Sequence, residues 1–340
     1  MKLFNLYTGF FVLSITAFSQ SDIKLNDKKL LINNVVQDSL SEYSIKPVTV
    51  VNLEYPYTVY PKEIISHTGY SFLFSIKDKQ AVWIAYQLTS EETEKLFNRS
   101  DKFTPDKSVK SGTANDNDYK GSGYDRGHLA PAADMGWSAK AMEESFYYSN
   151  MSPQKPSFNR GIWKQLEELI RDWAVQNKEI YIVTGGVLND SLSSIGKNKV
   201  SVPKYFYKVI LDYSEPSIKG IGFIMLNESS KEQLQRYAVT IDSVESFTGI
   251  DFFYQLPNDQ EKVIESTLSI KSWNWSSSIS SNMGASQIIK SENSAKQCIG
   301  VTKKGIQCKN KTTNSNSYCY LHQDQFQLSQ NKKVNDKKLK

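Results

Sequence analysis

The sequence is poor in the side chains that crosslink proteins or hold soft metals. Its 340 residues include three cysteines and three histidines. All three cysteines (Cys298, Cys308 and Cys319) lie near the C-terminus, so the main body must be held by its own core, and an odd count fits a disulfide framework poorly. A body of some two hundred residues is large enough to bury such a core. Only one long apolar run occurs, at residues 3–18; it is short for a membrane span and no second run follows. Charge of one sign is scarce too: 41 Lys and Arg face 36 Asp and Glu, for a net +5. Residues 296–340 hold ten Lys and two Asp, or +8, which leaves −3 for everything before them. Any phosphate affinity in the main body must therefore come from a local cluster, not a global field.

The N-terminal run has the marks of an export signal. Lys2 gives a positive start, residues 3–18 are mostly apolar, and Ala17-Phe18-Ser19 supplies small residues at a cleavage spacing. Residues 1–19 are expected to be a signal peptide, with an uncleaved anchor as the alternative. No cysteine lies nearby to carry a lipid. The expected product is exported, periplasmic or extracellular, and free of the membrane once cleaved. Residues 20–60 read as a lead-in packed on the domain, with a strand over residues 49–53.

Residues 70–75 and 81–88 are rich in aromatic and β-branched side chains and predict two strands around a turn at residues 77–79. His67, beside a turn, is expected to be structural. Residues 89–123 form a long polar loop, the kind of segment that often carries function. Arg99 lies in it.

The chemistry concentrates in residues 124–135, Y-D-R-G-H-L-A-P-A-A-D-M. Asp125, Arg126 and His128 join a carboxylate, a guanidinium and an imidazole around Gly127, where the backbone can turn tightly or approach another group closely. Next come Ser149-Asn150-Met151-Ser152-Pro153-Gln154, then Asn159-Arg160-Gly161 with Trp163 and Glu167. Apolar residues at 162, 166, 169, 170 and 173 predict a helix over residues 159–176, with Asn159, a favoured N-cap residue, at its start. In a continuous helix Glu167 would sit about 80° around and about 12 Å along the axis from Asn159. The two could not then share one small ion as direct ligands. Further strands are expected at residues 179–184, 205–213 and 218–226, a turn or close approach at 184–186, and a short helix at 241–247 stopped by Gly249. Without regular βαβ repetition the class is α+β.

These motifs, in this order, resemble the DNA/RNA non-specific endonuclease family, whose ββα-metal core is shared with mitochondrial endonuclease G. Fainter similarity runs over residues 65–256. The resemblance implies a central, mostly antiparallel sheet and a catalytic domain over residues 61–275. It implies His128 as general base, Asn159 as the sole direct protein ligand of Mg²⁺ (or Mn²⁺), and Glu167 acting through the ion's water shell. It also implies Arg126 and Arg99 on the phosphate and Asn150 as a support. For Arg99 the alternative is a solvated surface residue. Asp125 is expected to orient its neighbours, and Arg160 is unassigned. A neutral imidazole suits proton removal from water, and a hard cation suits the phosphate and the 3′ leaving oxygen. Such a site contacts the backbone and not the bases, so DNA and RNA are both expected substrates, cut to 5′ phosphates. The rival expectations are an inactive nucleic-acid binder and a phosphodiesterase for small substrates.

Residues 276–295 are Ser-rich and read as a linker. In residues 296–323, Cys298, Cys308, Cys319 and His322 offer three thiolates and an imidazole, a tetrahedral Zn²⁺ set. The alternative is one disulfide and a spare thiol. Residues 324–340 are a basic tail.

Overall fold

The computed structural model describes residues 46–189, 191–276, 296–301, 305–309, 311–312, 317, 322 and 325. The expected signal peptide, most of the lead-in, linker and basic tail, and Cys319 lie outside the described residues.

Local sequence explains the first strands. β1 (Ile64–Ser66), β2 (Ser71–Ser75) and β3 (Gln80–Thr89) pair antiparallel in succession. Two short strands, β4 (Asp125–His128) and β5 (Met151–Gln154), form a separate antiparallel pair. β6 (Glu179–Gly186) returns to the main sheet, ahead of a small pair made of β7 (Ser194–Ile195) and β8 (Val200–Ser201). β9 (Tyr205–Asp212), β10 (Lys219–Leu226) and β11 (Ala238–Val239) complete a seven-stranded sheet in the order β1-β2-β3-β6-β9-β10-β11. Every pairing in it is antiparallel.

Both faces of this sheet are covered, and the strand period of two sorts the side chains between them. In β9, Phe206 and Ile210 join one core, while Tyr207, Val209 and Leu211 join the other. The first core is closed by Leu166, Leu169, Ile170 and Trp173. These come from the longest helix, α3 (Lys164–Asn177), which α1 (Asp116–Tyr119), α2 (Ala139–Glu144) and a single turn at Pro156–Phe158 precede. The second core is closed by Ile241 and Val244 of α4 (Ile241–Thr248) and Ile264 of α5 (Asn258–Ser266), with Phe252 and Phe253 between them. Trp173 shows how tightly the first layer is fixed. It is fully buried, lies 4.4 Å from the Trp273 ring, and donates its indole N–H to the Asn274 carbonyl at 2.6 Å. Truncating such a residue to Ala costs about 3–5 kcal/mol. Among the described residues no helix is long and apolar enough to cross a membrane.

Two local readings change, and the open alternative at residues 184–186 is decided. Residues 49–53 are not a strand: the chain turns at residues 51–54 and is anchored by the buried Leu53. β6 runs through Gly185-Gly186, so the glycines mark close packing and not a turn. The long helix begins at Lys164, because residues Asn159–Trp163 form a π-helical turn in which Gly161 (φ −106°, ψ −116°) breaks the helical path. α4 ends where expected, with Gly249 left-handed at φ 72° and its N–H on the Glu245 carbonyl.

Candidate active site

β4, β5 and α3 form a ββα unit on the first face of the sheet, and the pleat of β4 sorts its chemistry. Period two places Arg126 and His128 on one side of the strand and Asp125 and Gly127 on the other. Gly127 is required by proximity, since a Cβ there would lie 2.1 Å from Gln154 Oε1.

On the His128 side the walls are aromatic. The imidazole meets Phe146 edge-on at 4.9 Å and Phe103 at 5.9 Å. Each ring also carries a guanidinium on its face: Arg126 Cζ sits 4.0 Å above Phe103, and Arg99 Cζ 4.9 Å above Phe146. Arg126 is held further by Asp116, which also accepts the Tyr148 hydroxyl at 2.6 Å, and Arg99 by Asp101 at 2.6 Å. His128 is thus buried between two cations. Burial first, then the charges of Arg99 and Arg126, pull its pKa down to about 3, so the imidazole is neutral at pH 7. Its Nε2 is buried with no hydrogen-bond partner. An orphaned acceptor or donor of this kind is costly and marks a place where another group belongs. Beside the strand an open cleft of about 450 Å³ is lined by Asp116, Lys120, Tyr124 and Arg126.

The backbone that carries His128 is fixed by Asn150. This fully buried amide accepts the Ala130 N–H at 2.8 Å and donates to the carbonyls of Ala130 (2.9 Å) and Ser145 (2.7 Å). Its own carbonyl accepts the Leu129 N–H at 3.0 Å. Asn150 therefore spends its side chain on positioning. His67 belongs to a neighbouring network: its Nε2 lies 2.8 Å from Asp106, which also accepts the Ser149 hydroxyl at 2.6 Å. It stays structural.

On the other side of β4 the Asp125 carboxylate clamps two residues of the π-helical turn. It accepts Asn159 Nδ2 at 2.9 Å and pairs in a fork with Arg160 at 2.8 and 2.6 Å. Asn159 is therefore not the N-cap of the long helix, and its amide is oriented by the bond from its nitrogen to Asp125. Arg160 serves as the outer jaw of that clamp. With the helix broken at Gly161, the continuous-helix relation between Asn159 and Glu167 does not apply. Glu167 sits in the first turn of α3, and no described residue hydrogen-bonds it. Burial raises its pKa, and the Lys208 ammonium offsets only part of that rise.

Lys208 is the residue that sequence reasoning missed. It lies fully buried in β9, with Nζ 3.2 Å from the Leu129 carbonyl and 3.2 Å from Thr184 Oγ1, and 4.7 Å above the Trp163 ring. The one signal was a lysine inside the apolar run Tyr205-Phe206-Tyr207-Lys208-Val209-Ile210-Leu211. Asp134 was missed too; it joins Arg171 (2.8 Å) to the Tyr86 hydroxyl (2.8 Å), and both it and Arg171 act electrostatically on Glu167. So the structure gathers Arg99, Arg126 and His128 on one side of β4 and Asn159 with Asp125 on the other. Glu167 stands with Lys208 beneath.

Comparison with known proteins identifies the family. Residues 49–259 match the family described as DNA/RNA non-specific endonuclease. A nuclease from Nostoc sp. is 36% identical over 209 residues, covering 58% of this chain and 75% of that protein. Human mitochondrial endonuclease G is 34% identical over 205 residues, covering 56% and 69% respectively. A chain from the solved EndoG/EndoGI complex superposes with a TM-score of 0.57 at 30% identity, covering 61% of this chain and 91% of that one. The match spans more than half the sequence and contains the whole ββα unit, so the chain belongs to the DNA/RNA non-specific endonuclease family.

Proposed function

We propose that the chain is an exported, metal-dependent endonuclease that hydrolyses the phosphodiesters of DNA and RNA without reading base or sugar. One observation carries this reading: a neutral His128 whose Nε2 is buried without a partner, held between the guanidiniums of Arg99 and Arg126.

The phosphate is held by Arg126 and Arg99, whose planar forks suit its oxygens. Both act where charge builds up on phosphorus oxygens during attack. His128 Nε2 accepts the proton of the attacking water, and such a base is worth about 10² to 10⁴ in rate. Its low pKa keeps it unprotonated in the free protein. A bound phosphodiester anion offsets the two guanidiniums and so returns basicity to the imidazole when it is needed. Asn150 keeps the peptide behind the imidazole in place.

The donor set around Asn159 fits a hard cation. Asp125 holds the amide nitrogen, so the amide oxygen is presented, and the Glu167 carboxylate can accept hydrogen bonds from the ion's waters. Mg²⁺, or Mn²⁺ in its place, would supply positive charge opposite the phosphate and the departing 3′ oxygen. Departure of the 3′ oxygen leaves the phosphate on the 5′ end. Residues 1–19, read as a signal peptide, place the activity in the periplasm or outside the cell.

The test is digestion of plasmid DNA and of RNA by purified protein, with and without EDTA, beside His128→Ala. Metal-dependent cutting of both polymers that disappears in the variant is expected. Binding without cutting at any metal concentration would sink the proposal in favour of an inactive binder. Hydrolysis of small phosphodiesters in preference to polymer would point to the small-substrate alternative.

A further inference from the structure

The C-terminal segment has a core unlike the rest of the molecule. β12 (Lys296–Gln297) pairs antiparallel with β13 (Lys311–Thr312), and a bridge joins Val301 to Gln307. The hairpin brings Cys298 beside Cys308, whose N–H donates to the Gly300 carbonyl at 2.8 Å. Its larger apolar side chains point outward: Ile299, Val301 and Ile306 are each about half exposed or more. Among the described residues here, the buried side chains are Cys298, Cys308 and His322. A unit this small cannot be held by hydrophobic burial, still less with these three described aliphatic residues outside, and such units take a metal or disulfides.

The geometry points to a structural zinc site at Cys298, Cys308 and His322. The two sulfurs and a ring nitrogen lie within 4.8 Å of one another. Cys298 Sγ is 3.6 Å from His322 Nδ1. A tetrahedral ion with bonds of about 2.3 Å to sulfur and about 2.05 Å to nitrogen would separate those two atoms by about 3.5 Å. The Gly300 N–H donates to Cys298 Sγ at 3.3 Å, which fixes where the sulfur points. Gly300 is itself dictated by the site, because a Cβ there would lie 2.4 Å from His322 Cβ. Two soft sulfurs and an imidazole select Zn²⁺ over the hard cation suited to Asn159. Zinc takes four ligands in structural sites. The remaining cysteine of the sequence, Cys319, lies outside the described residues. On binding, the thiol protons pass to solvent.

Elemental analysis of the purified full-length protein, made without chelator, tests this. About one zinc per chain is expected, falling to nearly none in Cys308→Ser and in His322→Ala. Asn159→Ala should keep its zinc, which separates this centre from the nuclease site. The wild-type protein exchanged into Co²⁺ covers the case in which the variants fail to fold. It should show the intense visible bands of tetrahedral cobalt and sulfur-to-cobalt charge transfer. Zinc below about a tenth of an equivalent, no such bands, and a Cys298–Cys308 disulfide in non-reducing peptide mapping would overturn the proposal. The readouts are metal content and spectra, so they stand or fall independently of DNA cleavage.

Discussion

Arg99→Gln should raise the pKa of His128. The Phe146 ring links the two residues, with Arg99 Cζ 4.9 Å from its centre and the imidazole centre also 4.9 Å from it. The charge is thus within about 10 Å of the imidazole. At that separation a unit charge acts with about 1.7 kcal/mol at an effective dielectric of ~20 and about 0.8 kcal/mol at ~40. Because half of the Arg99 side chain is exposed, the lower end applies, so removing the charge should move His128 upward by about half to one pKa unit. The sign follows from the cause: the cation disfavours a second positive charge on the ring, so its loss favours protonation.

The assay is the acid limb of kcat/KM against pH on a thymine-only oligonucleotide, whose bases do not titrate in acid. The limb reports the free enzyme's base. In the variant it should shift to higher pH whatever happens to the height of the profile, which also falls because one guanidinium no longer holds the phosphate. In the wild type, the limb of kcat should lie above that of kcat/KM, because bound phosphate neutralises both guanidiniums. An unmoved limb, or one displaced to lower pH, would refute the reading that Arg99 acts on the base.

Three further outcomes follow from particular residues. His128→Ala should lower kcat by about 10² to 10⁴ while DNA binding and fold persist; retention of a tenth of wild-type turnover would remove it as the base. Asp125→Asn should raise the Mg²⁺ concentration for half-maximal activity by about 10- to 100-fold and recover at high Mg²⁺, since it loosens the clamp on Asn159; a defect indifferent to metal would discard the clamp. Removing residues 276–340 should leave turnover of a short oligonucleotide at saturation within about twofold. Binding to long duplex should weaken, and the magnitude of its logarithmic salt slope should fall by about 0.9 for each phosphate the tail had neutralised. A dead truncated enzyme with a folded core would refute this division of labour.

Stability should also depend on pH through the second face of the sheet. Carboxylate oxygens of Asp242, Glu245 and Glu265 lie within 4.8 Å of one another, and Glu265 is nearly buried with Oε1 unpartnered. Burial, then Glu245 and its acidic neighbours, push the Glu265 carboxyl up to about 9 from 4.5. The folded state holds a proton that the unfolded chain releases, so stability falls as pH rises from about 4.5 to about 9. Glu265→Gln removes that slope. Urea unfolding should show the variant gaining on the wild type between pH ~5 and pH ~9, and a constant difference would reject the assignment.

Much of the fold was legible because its signals are local. Aromatic and β-branched runs gave β2, β3, β6, β9 and β10, and the spacing of residues 162–173 gave α3. β4 was opaque as a strand, since Asp-Arg-Gly-His has no apolar alternation and exists as a strand through its pairing with β5. The candidate site residues stood out by chemistry and family likeness, whereas their supports did not. Asp125 meets Asn159 across 34 residues, and Arg99 meets His128 through Phe146 of a distant helix end. Propensity read Asn159 as a cap, but the tertiary pull of Asp125 and the break at Gly161 made it part of the site.

The buried Lys208 joins these parts. A fully buried ammonium is costly unless compensated, and a methionine of similar length would avoid the cost. The compensation comes from two neutral oxygens, the Trp163 ring and the negative charges of Glu167 and Asp134. An ammonium does two things here that a thioether cannot. It binds the carbonyl of Leu129, whose N–H is already bound by the Asn150 carbonyl, so the residue beside His128 is pinned from both directions. It also draws down the pKa of Glu167, which burial alone would raise further, and so favours the charged carboxylate that an ion's waters need. The same cation thereby fixes the strand end that carries His128, the proposed base, and opposes the upward shift of Glu167, and its burial between them follows from having to reach both.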